Sequence, residues 1–471
     1  MLNGKILKEI HELLMRGYKL TGTVLTSIML SFLCVSQSCS IQRNTTWNEV
    51  RMSSDSFIIK EGIVSTSKHK IKYVREGKCV ATIHLDYPVV VSMADKEEIW
   101  GYYQFPILGR ADDGTLVVSW SMKPDSYKTV GKKGDEDYTP MISIDRGKTW
   151  YPQDKKYFAP QQGGYSVSLK NGSFLSIKNP TTKAISNYTN FPKAVAKIRN
   201  YSFYPVEELP DDFQGAYLSK RDLKTGKTSL VHAKIQDPGS LRPAIDGLMP
   251  VIWRGNIKQL KDGSLLSGVY SVYYPDGKGG VLPGAIGFYR STDDGNNWIV
   301  QGHIPFDIDK QIGILTEKEK IVGFSEPSFV VLDNDRLICV MRSGSSSPLY
   351  QAFSKDYGKT WTKPQPITPN GVKPQLIKLG NGVLVLASGR PGIQIRFSLD
   401  GTGKDWTDPI DLIPFTKKDG SYDPDVSCGY PCLLSENDNT FYIVYSDFRE
   451  HDRNGNERKA IMFRKIQIFV N

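Results

Sequence analysis

Ser143-Ile-Asp145-Arg-Gly147-Lys-Thr-Trp150, Ser291-Thr-Asp293-Asp-Gly295-Asn-Asn-Trp298 and Ser354-Lys-Asp356-Tyr-Gly358-Lys-Thr-Trp361 repeat one pattern, Ser-x-Asp-x-Gly-x-x-Trp. A fourth copy, Ser398-Leu-Asp400-Gly-Thr-Gly403-Lys-Asp-Trp406, carries one inserted residue. The pattern has the chemistry of a hairpin turn: Ser and Asp oxygens accept hydrogen bonds from turn amides, Gly supplies a positive φ, and Trp folds back as an apolar plug. Its role is structural. A second periodicity precedes each copy, a polar turn opening an apolar strand: Asp113-Gly-Thr-Leu-Val-Val, Asp262-Gly-Ser-Leu-Leu, Asn334-Asp-Arg-Leu-Ile-Cys and Asn381-Gly-Val-Leu-Val-Leu. Asn171-Gly-Ser-Phe-Leu and Asp438-Asn-Thr-Phe-Tyr-Ile-Val repeat that turn without a good copy after it, although Ser219 to Thr228 reads as a degenerate one.

Units of this length, each able to supply four strands and to bury its faces against its neighbours, predict an all-β, six-bladed β-propeller. Cys79 to Glu98 is expected to complete the last blade beside the C-terminal run Ala460 to Val470. Pro180 to Leu230 lacks clean alternation and is expected to form long loops over one face. With no linker in the remainder, residues 79–471 read as one domain and residues 40–78 as a segment leading into it.

Composition agrees with that class. Among 471 residues, 39% are hydrophobic, 11% aromatic and 23% charged, with 42 glycines, which excludes a chain that is mainly disordered, a collagen and a coiled coil. The formal charge of +10 is spread along the chain rather than gathered in a block, so it favours an anionic substrate over nucleic acid. Leu20 to Val35 is apolar but short for a membrane span, and with Arg16 and Lys19 before it residues 1–39 read as a signal peptide. Ser36-Gln-Ser-Cys39 resembles a bacterial lipobox, with Ser36 in place of the usual aliphatic residue. The chain is therefore expected to be exported, to the periplasm, to the cell surface through a lipid on Cys39, or as a secreted protein, and to act as a monomer. Cys79, Cys339, Cys428 and Cys432 have no metal-site spacing, and neither a metal nor an organic cofactor is implied.

From about Trp100 onward the chain resembles the sialidase (neuraminidase) superfamily, whose six-bladed propellers carry these Asp boxes. The boxes also occur in non-enzymatic propellers, so function rests on the residues between them. Gly323-Phe-Ser-Glu326-Pro-Ser, followed sixteen residues after the glutamate by Arg342, is similar to the segment carrying a catalytic Glu and a carboxylate-binding Arg. Cys428-Gly-Tyr430-Pro-Cys-Leu-Leu resembles the segment with a nucleophilic tyrosine. The resemblance implies Tyr430 as nucleophile, Glu326 as its base, and an acid/base carboxyl on a loop after the first strand pair. Asp125 in Lys123-Pro-Asp125-Ser-Tyr is the choice, with Asp135, Glu136 and Asp137 as alternatives. A neutral phenol suits a substrate whose anomeric carbon bears a carboxylate, because it avoids like-charge repulsion.

The family holds that carboxylate with three arginines. Arg342 supplies one and Arg390 in Ser-Gly-Arg390-Pro-Gly another, but Tyr103-Gln104-Phe105-Pro106 has Gln104 where the first arginine is expected. An uncharged amide there weakens carboxylate binding by roughly 1.5–3 kcal/mol unless another cation compensates. Arg254, in Ile-Trp253-Arg254-Gly-Asn, is the compensator chosen. The sequence thus predicts an exo-glycosidase releasing a terminal sialic or related acidic sugar from a glycan or glycoconjugate with retention. The rival readings are a glycosidase for another terminal sugar and a glycan-binding propeller without turnover.

Overall fold

The polar turns join the first and second strands of successive antiparallel sets. Thr115 N–H donates to Asp113 Oδ1 (2.9 Å), Ser173 N–H to Asn171 Oδ1 (2.9 Å), Ser264 N–H to Asp262 Oδ1 (2.9 Å) and Val383 N–H to Asn381 Oδ1 (3.1 Å). The structure, a computed structural model, describes residues 51–52, 68–75, 78–133, 139–153, 165–307, 323–333, 335–344, 347–413, 415, 423 and 426–471. The signal-peptide stretch, Cys39, and Asp135, Glu136 and Asp137 lie outside the described residues.

The chain is all-β, and among the described residues helix is confined to short 3₁₀ turns. The first strands of the sets are β1 (Tyr102–Arg110), β2 (Ser166–Ser168), β3 (Gly255–Gln259), β4 (Ser325–Val331), β5 (Val372–Lys378) and β6 (Cys432–Ser435). Those led by β1, β4 and β5 are separate four-stranded antiparallel sheets, as in β4, Leu337–Arg342, Leu349–Ser354 and Gln365–Pro366, while β6 lies at the edge of a seven-stranded sheet. The sets led by β2 and β3 are joined by a parallel pairing of Lys234–Gln236 with Asn297–Ile299. β1 packs against β6, β6 against β5, β5 against β4, β4 against β3 and β3 against β2. Apolar side chains fill the spaces between neighbouring sets, as where Phe288 meets Phe329 and Trp361.

The Asp boxes close the third and fourth strands of their sets. In the first, Gly147 N–H donates to Ser143 Oγ (2.8 Å) and Thr149 N–H to Asp145 Oδ1 (3.0 Å). In the second, the fully buried Trp298 donates its indole N–H to Gly295 O at 3.0 Å. Trp361 repeats that bond to Gly358 O at 3.1 Å, whereas Trp406, displaced by the inserted residue, donates to Gln351 Oε1 of the preceding set at 3.0 Å. The degenerate copy makes a comparable turn, with Lys224 and Thr225 N–H both 2.8 Å from Asp222 Oδ1.

The last set is completed from the other end of the described chain. Strand β7 (Thr440–His451) pairs with β8 (Glu457–Val470). Residues 460–463 of β8 pair with Val89–Met93, and residues 466–470 pair with Ala81–Leu85. The expectation of long loops from Pro180 to Leu230 needs correction. Lys183–Ala184, Ala196–Ile198 and Tyr201–Pro205 join Leu241–Ile245 and Leu248–Met249 in a separate five-stranded sheet, and Ala216–Asp222 belongs to the β2 set. These strands are two to seven residues long and several pair with a partner about forty residues away, so no local alternation marks them.

Cys339, Cys428 and Cys432 are buried free thiols, and burial pushes all three above the ordinary cysteine value. Among the described residues, no group of three or more His, Cys, Asp or Glu could hold a metal ion. Also among them, no helix is long and apolar enough to cross a membrane.

Candidate active site

Where the first strands begin, a pocket of about 560 Å³ opens, and every set places residues in its wall, among them Phe105, Tyr165, Arg254, Glu326, Lys373 and Tyr430. Four of the six precede a proline, in Phe105-Pro106, Glu326-Pro327, Lys373-Pro374 and Tyr430-Pro431. Phe105, Glu326 and Lys373 have φ of 54°, 50° and 47°, each within a register shift of its strand pair. A bulge with one residue in the left-handed region turns that side chain out of the pleat, and here it turns three of them into the pocket. Gly389 permits the close packing beside Tyr430, since a Cβ there would lie 2.1 Å from Gly429 Cα.

The centre of the site is a triangle. The Tyr430 hydroxyl donates to Glu326 Oε1 at 2.5 Å, and Arg342 Nη1 donates both to that oxygen at 3.2 Å and to Tyr430 Oη at 3.1 Å. Lys373 N–H donates to Glu326 Oε2 at 2.9 Å, so both carboxylate oxygens are engaged. Burial works against ionising Glu326, which is 8% exposed, but the charges of Arg342 and Lys373 and these hydrogen bonds hold its carboxyl below the ordinary value. Tyr430 is displaced the other way: burial and then the Glu326 charge raise its hydroxyl well above the usual phenol value, against the pull of Arg342. The resting pair is a neutral phenol pointing at a carboxylate. Phe105 packs edge-on against the Tyr430 ring at 4.9 Å and fixes its plane.

Asp125 lies in the same pocket wall, on the loop that follows the second strand of the β1 set. Trp100 Nε1 donates to its Oδ2 at 3.1 Å. Gly101 allows this approach, because a Cβ at its φ of +109° would meet Lys123 O at 2.3 Å and Asp125 N at 2.4 Å. The loop is pinned from inside by Lys123 Nζ, which donates to Thr129 O (2.9 Å) and Lys132 O (2.7 Å). It is pinned from outside by the Tyr127 hydroxyl on Asp246 Oδ2 (2.6 Å) and by Thr182 on Tyr127 O (2.8 Å). Asp246 follows directly on a strand of the five-stranded sheet, so that insertion braces the loop carrying Asp125.

Arg254 is held by its backbone, with Tyr270 N–H donating to its carbonyl at 3.2 Å, and its Nη1 reaches the Tyr270 hydroxyl at 3.4 Å. Tyr270, then Tyr165 and Tyr430, favour its charged form. The structure thus brings Asp125, Arg254, Glu326, Arg342 and Tyr430 to one site. Arg390 has φ 53° and lies with its side-chain stem beside Gly429, outside the 560 Å³ wall. Gln104 is not brought to the pocket. It is 0% exposed, beneath the wall, both side-chain polar atoms lack a hydrogen-bond partner, and Phe105 takes the wall position next to it. Sequence reasoning missed Lys373, Tyr165, Tyr270 and Phe105. The recurring X-Pro dipeptide at the start of the first strands was the signal for two of them, Phe105 and Lys373.

Residues 210–443 match the family described as BNR repeat-like domain. No curated protein matches the chain. Among solved structures, a protein of unknown function from Dyadobacter fermentans DSM 18053 is 19% identical with a TM-score of 0.54, over 82% of this chain and 99% of that one. A Hadza microbial sialidase is 16% identical over 87% and 74% of the two chains with a TM-score of 0.45. The NanB sialidase from Streptococcus pneumoniae is 14% identical over 80% and 70% with a TM-score of 0.42. At these identities the likeness concerns the fold alone, and the two sialidases fall below the similarity at which they add to the argument.

Proposed function

We propose, on the premise that the chain belongs to the BNR/sialidase-type propeller superfamily, that it is a retaining exo-glycosidase acting on a terminal acidic sugar, with sialic acid as the first substrate to test. The six sets are read as six blades. The observation that carries the function is the triangle formed by Tyr430 and Glu326 of the pocket wall with Arg342 behind them. A phenol does not attack at neutral pH without a base, and a carboxylate 2.5 Å from the hydroxyl is positioned to be one.

In the first step Tyr430 Oη bonds to the anomeric carbon while its proton passes to Glu326. Arg342 steadies the negative charge that develops on the phenolic oxygen, and Asp125 gives its proton to the departing glycosidic oxygen. In the second step the Asp125 carboxylate takes a proton from water, whose oxygen bonds to the anomeric carbon. The tyrosyl bond breaks, and Tyr430 regains its proton from Glu326. Use of a tyrosine nucleophile is the known sialidase exception to the two-carboxylate scheme. We further propose export through residues 1–39, with Cys39 as the lipid attachment point.

A second reading is favoured by one observation. Gln104 is buried away from the pocket, so the family's arginine triad has no member on this strand. A glycosidase for a different terminal sugar follows from that. The test is release of free sialic acid from a mixed sialyl-oligosaccharide pool, run beside Tyr430→Phe and a panel of aryl glycosides. Release abolished by Tyr430→Phe supports the first reading. Hydrolysis confined to a neutral aryl glycoside moves the assignment to the second, and a folded protein that hydrolyses nothing leaves a binding role.

A further inference from the structure

The side-chain cations of two residues in the pocket wall take no part in the bond-making steps above. Lys373 and Arg254 stand on β5 and just before β3, on either side of the strand that carries Glu326. Lys373 Nζ is bonded to the Tyr165 hydroxyl and sits 4.9 Å from the centre of that ring. Tyr165 belongs to the β2 set, three places from β5 in the packing order, so the ammonium reaches across the pocket. Arg254 faces two tyrosines, Tyr270 and Tyr165. Among the described residues neither cation forms a salt bridge with a carboxylate; their side-chain partners are phenols. The Lys373 charge also acts on Glu326, but a half-buried cation whose side-chain hydrogen bonds go only to neutral hydroxyls keeps attraction for an anion that enters the cavity.

We infer that Lys373 and Arg254 are the residues that read the substrate's carboxylate, an arrangement that stands in for an arginine at the position of Gln104. This rests on the glycosidase reading only for the word substrate; the binding preference stands by itself. The class selected is a sugar acid, either a ulosonic acid with its carboxylate on the anomeric carbon or a uronic acid with its carboxylate at the far end of the ring. Tyr165, tied to the ammonium, exchanges that bond for one to the bound acid.

The experiment is calorimetric titration of the purified full chain with free N-acetylneuraminic acid, free glucuronic acid, and the neutral sugars galactose and glucose, on the wild type, Lys373→Met, Lys373→Arg and Arg254→Met. Lys373→Met keeps the backbone N–H that bonds Glu326, so the triangle has its support, and unchanged thermal unfolding verifies this. The expected result is that one acid binds in preference to both neutral sugars. Each Met variant then loses about tenfold or more of that affinity, and Lys373→Arg retains most of it. Which acid binds distinguishes the two classes. Equal binding of acids and neutral sugars, no binding of either acid, or undiminished acid binding by Lys373→Met overturns the inference. Charge-selective binding without hydrolysis of any glycoside would instead overturn the glycosidase reading and leave this one standing.

Discussion

Tyr430 and Glu326 have ionisation preferences moved apart by their surroundings, the phenol upward and the carboxyl downward, which keeps the proton on Tyr430 in the resting pair. Tyr430→Phe removes only the attacking oxygen. Turnover on the active glycoside is expected to fall by about 10³-fold or more with little change in melting temperature. Because the Glu326 carboxyl is held below its ordinary value of 4.5, its ion pair stabilises the fold above that pH and loses its effect as pH falls through the lowered value. Urea titrations of wild type and Glu326→Gln should therefore differ most above about pH 5 and converge toward pH 3. A gap that widens on acidification would contradict the assigned direction. The Tyr430–Glu326 pair was legible because each residue sits in a distinctive string, but Lys373 was not. Its importance comes from a backbone N–H and a lysine stem crossing to Tyr165, and neither leaves a mark in the local sequence.

Strands and turns carry a different part of the argument. The Asp-box hairpins were readable nearly to the atom: all four copies make the bond from the Gly amide to the Ser hydroxyl, and in two of them the Trp indole N–H returns to the Gly carbonyl. Trp298→Ala, which empties a fully buried site between the β2 and β3 sets, is expected to cost about 3–5 kcal/mol in denaturant titration while the remaining folded protein keeps its KM. Asp145 is held down at about 2, first by the Thr149 hydroxyl and then by turn amides, so its contribution is present above pH 4 and is lost on acidification below that. The loop carrying Asp125 makes the complementary case. Its brace, the Tyr127 hydroxyl on Asp246, lies between segments more than a hundred residues apart, which no local reading finds. Tyr127→Phe should lower kcat about tenfold through a less well placed acid, with KM and melting temperature little changed. An unaltered kcat would show that Lys123 and Trp100 suffice.

Across the whole molecule, the recurrence of turn and box prescribed repeated four-stranded units, while the five-stranded insertion escaped because its pairing is long-range. The seam is where β8 takes Ala81–Leu85 along one half and Val89–Met93 along the other. Ile468, fully buried there, should cost about 2–5 kcal/mol on replacement by Ala, read as a lowered midpoint in urea, with catalytic constants unchanged. The pocket wall has a wider consequence. It draws residues from all six sets, spread from Phe105 to Tyr430, so no set owns the site and none can open without removing part of it. Activity is thereby a gauge of cooperativity. On the proposed function, a local opening in any set abolishes turnover before the tryptophans report it, so the spacing between loss of turnover and loss of fluorescence along a urea gradient measures how nearly the molecule unfolds as one.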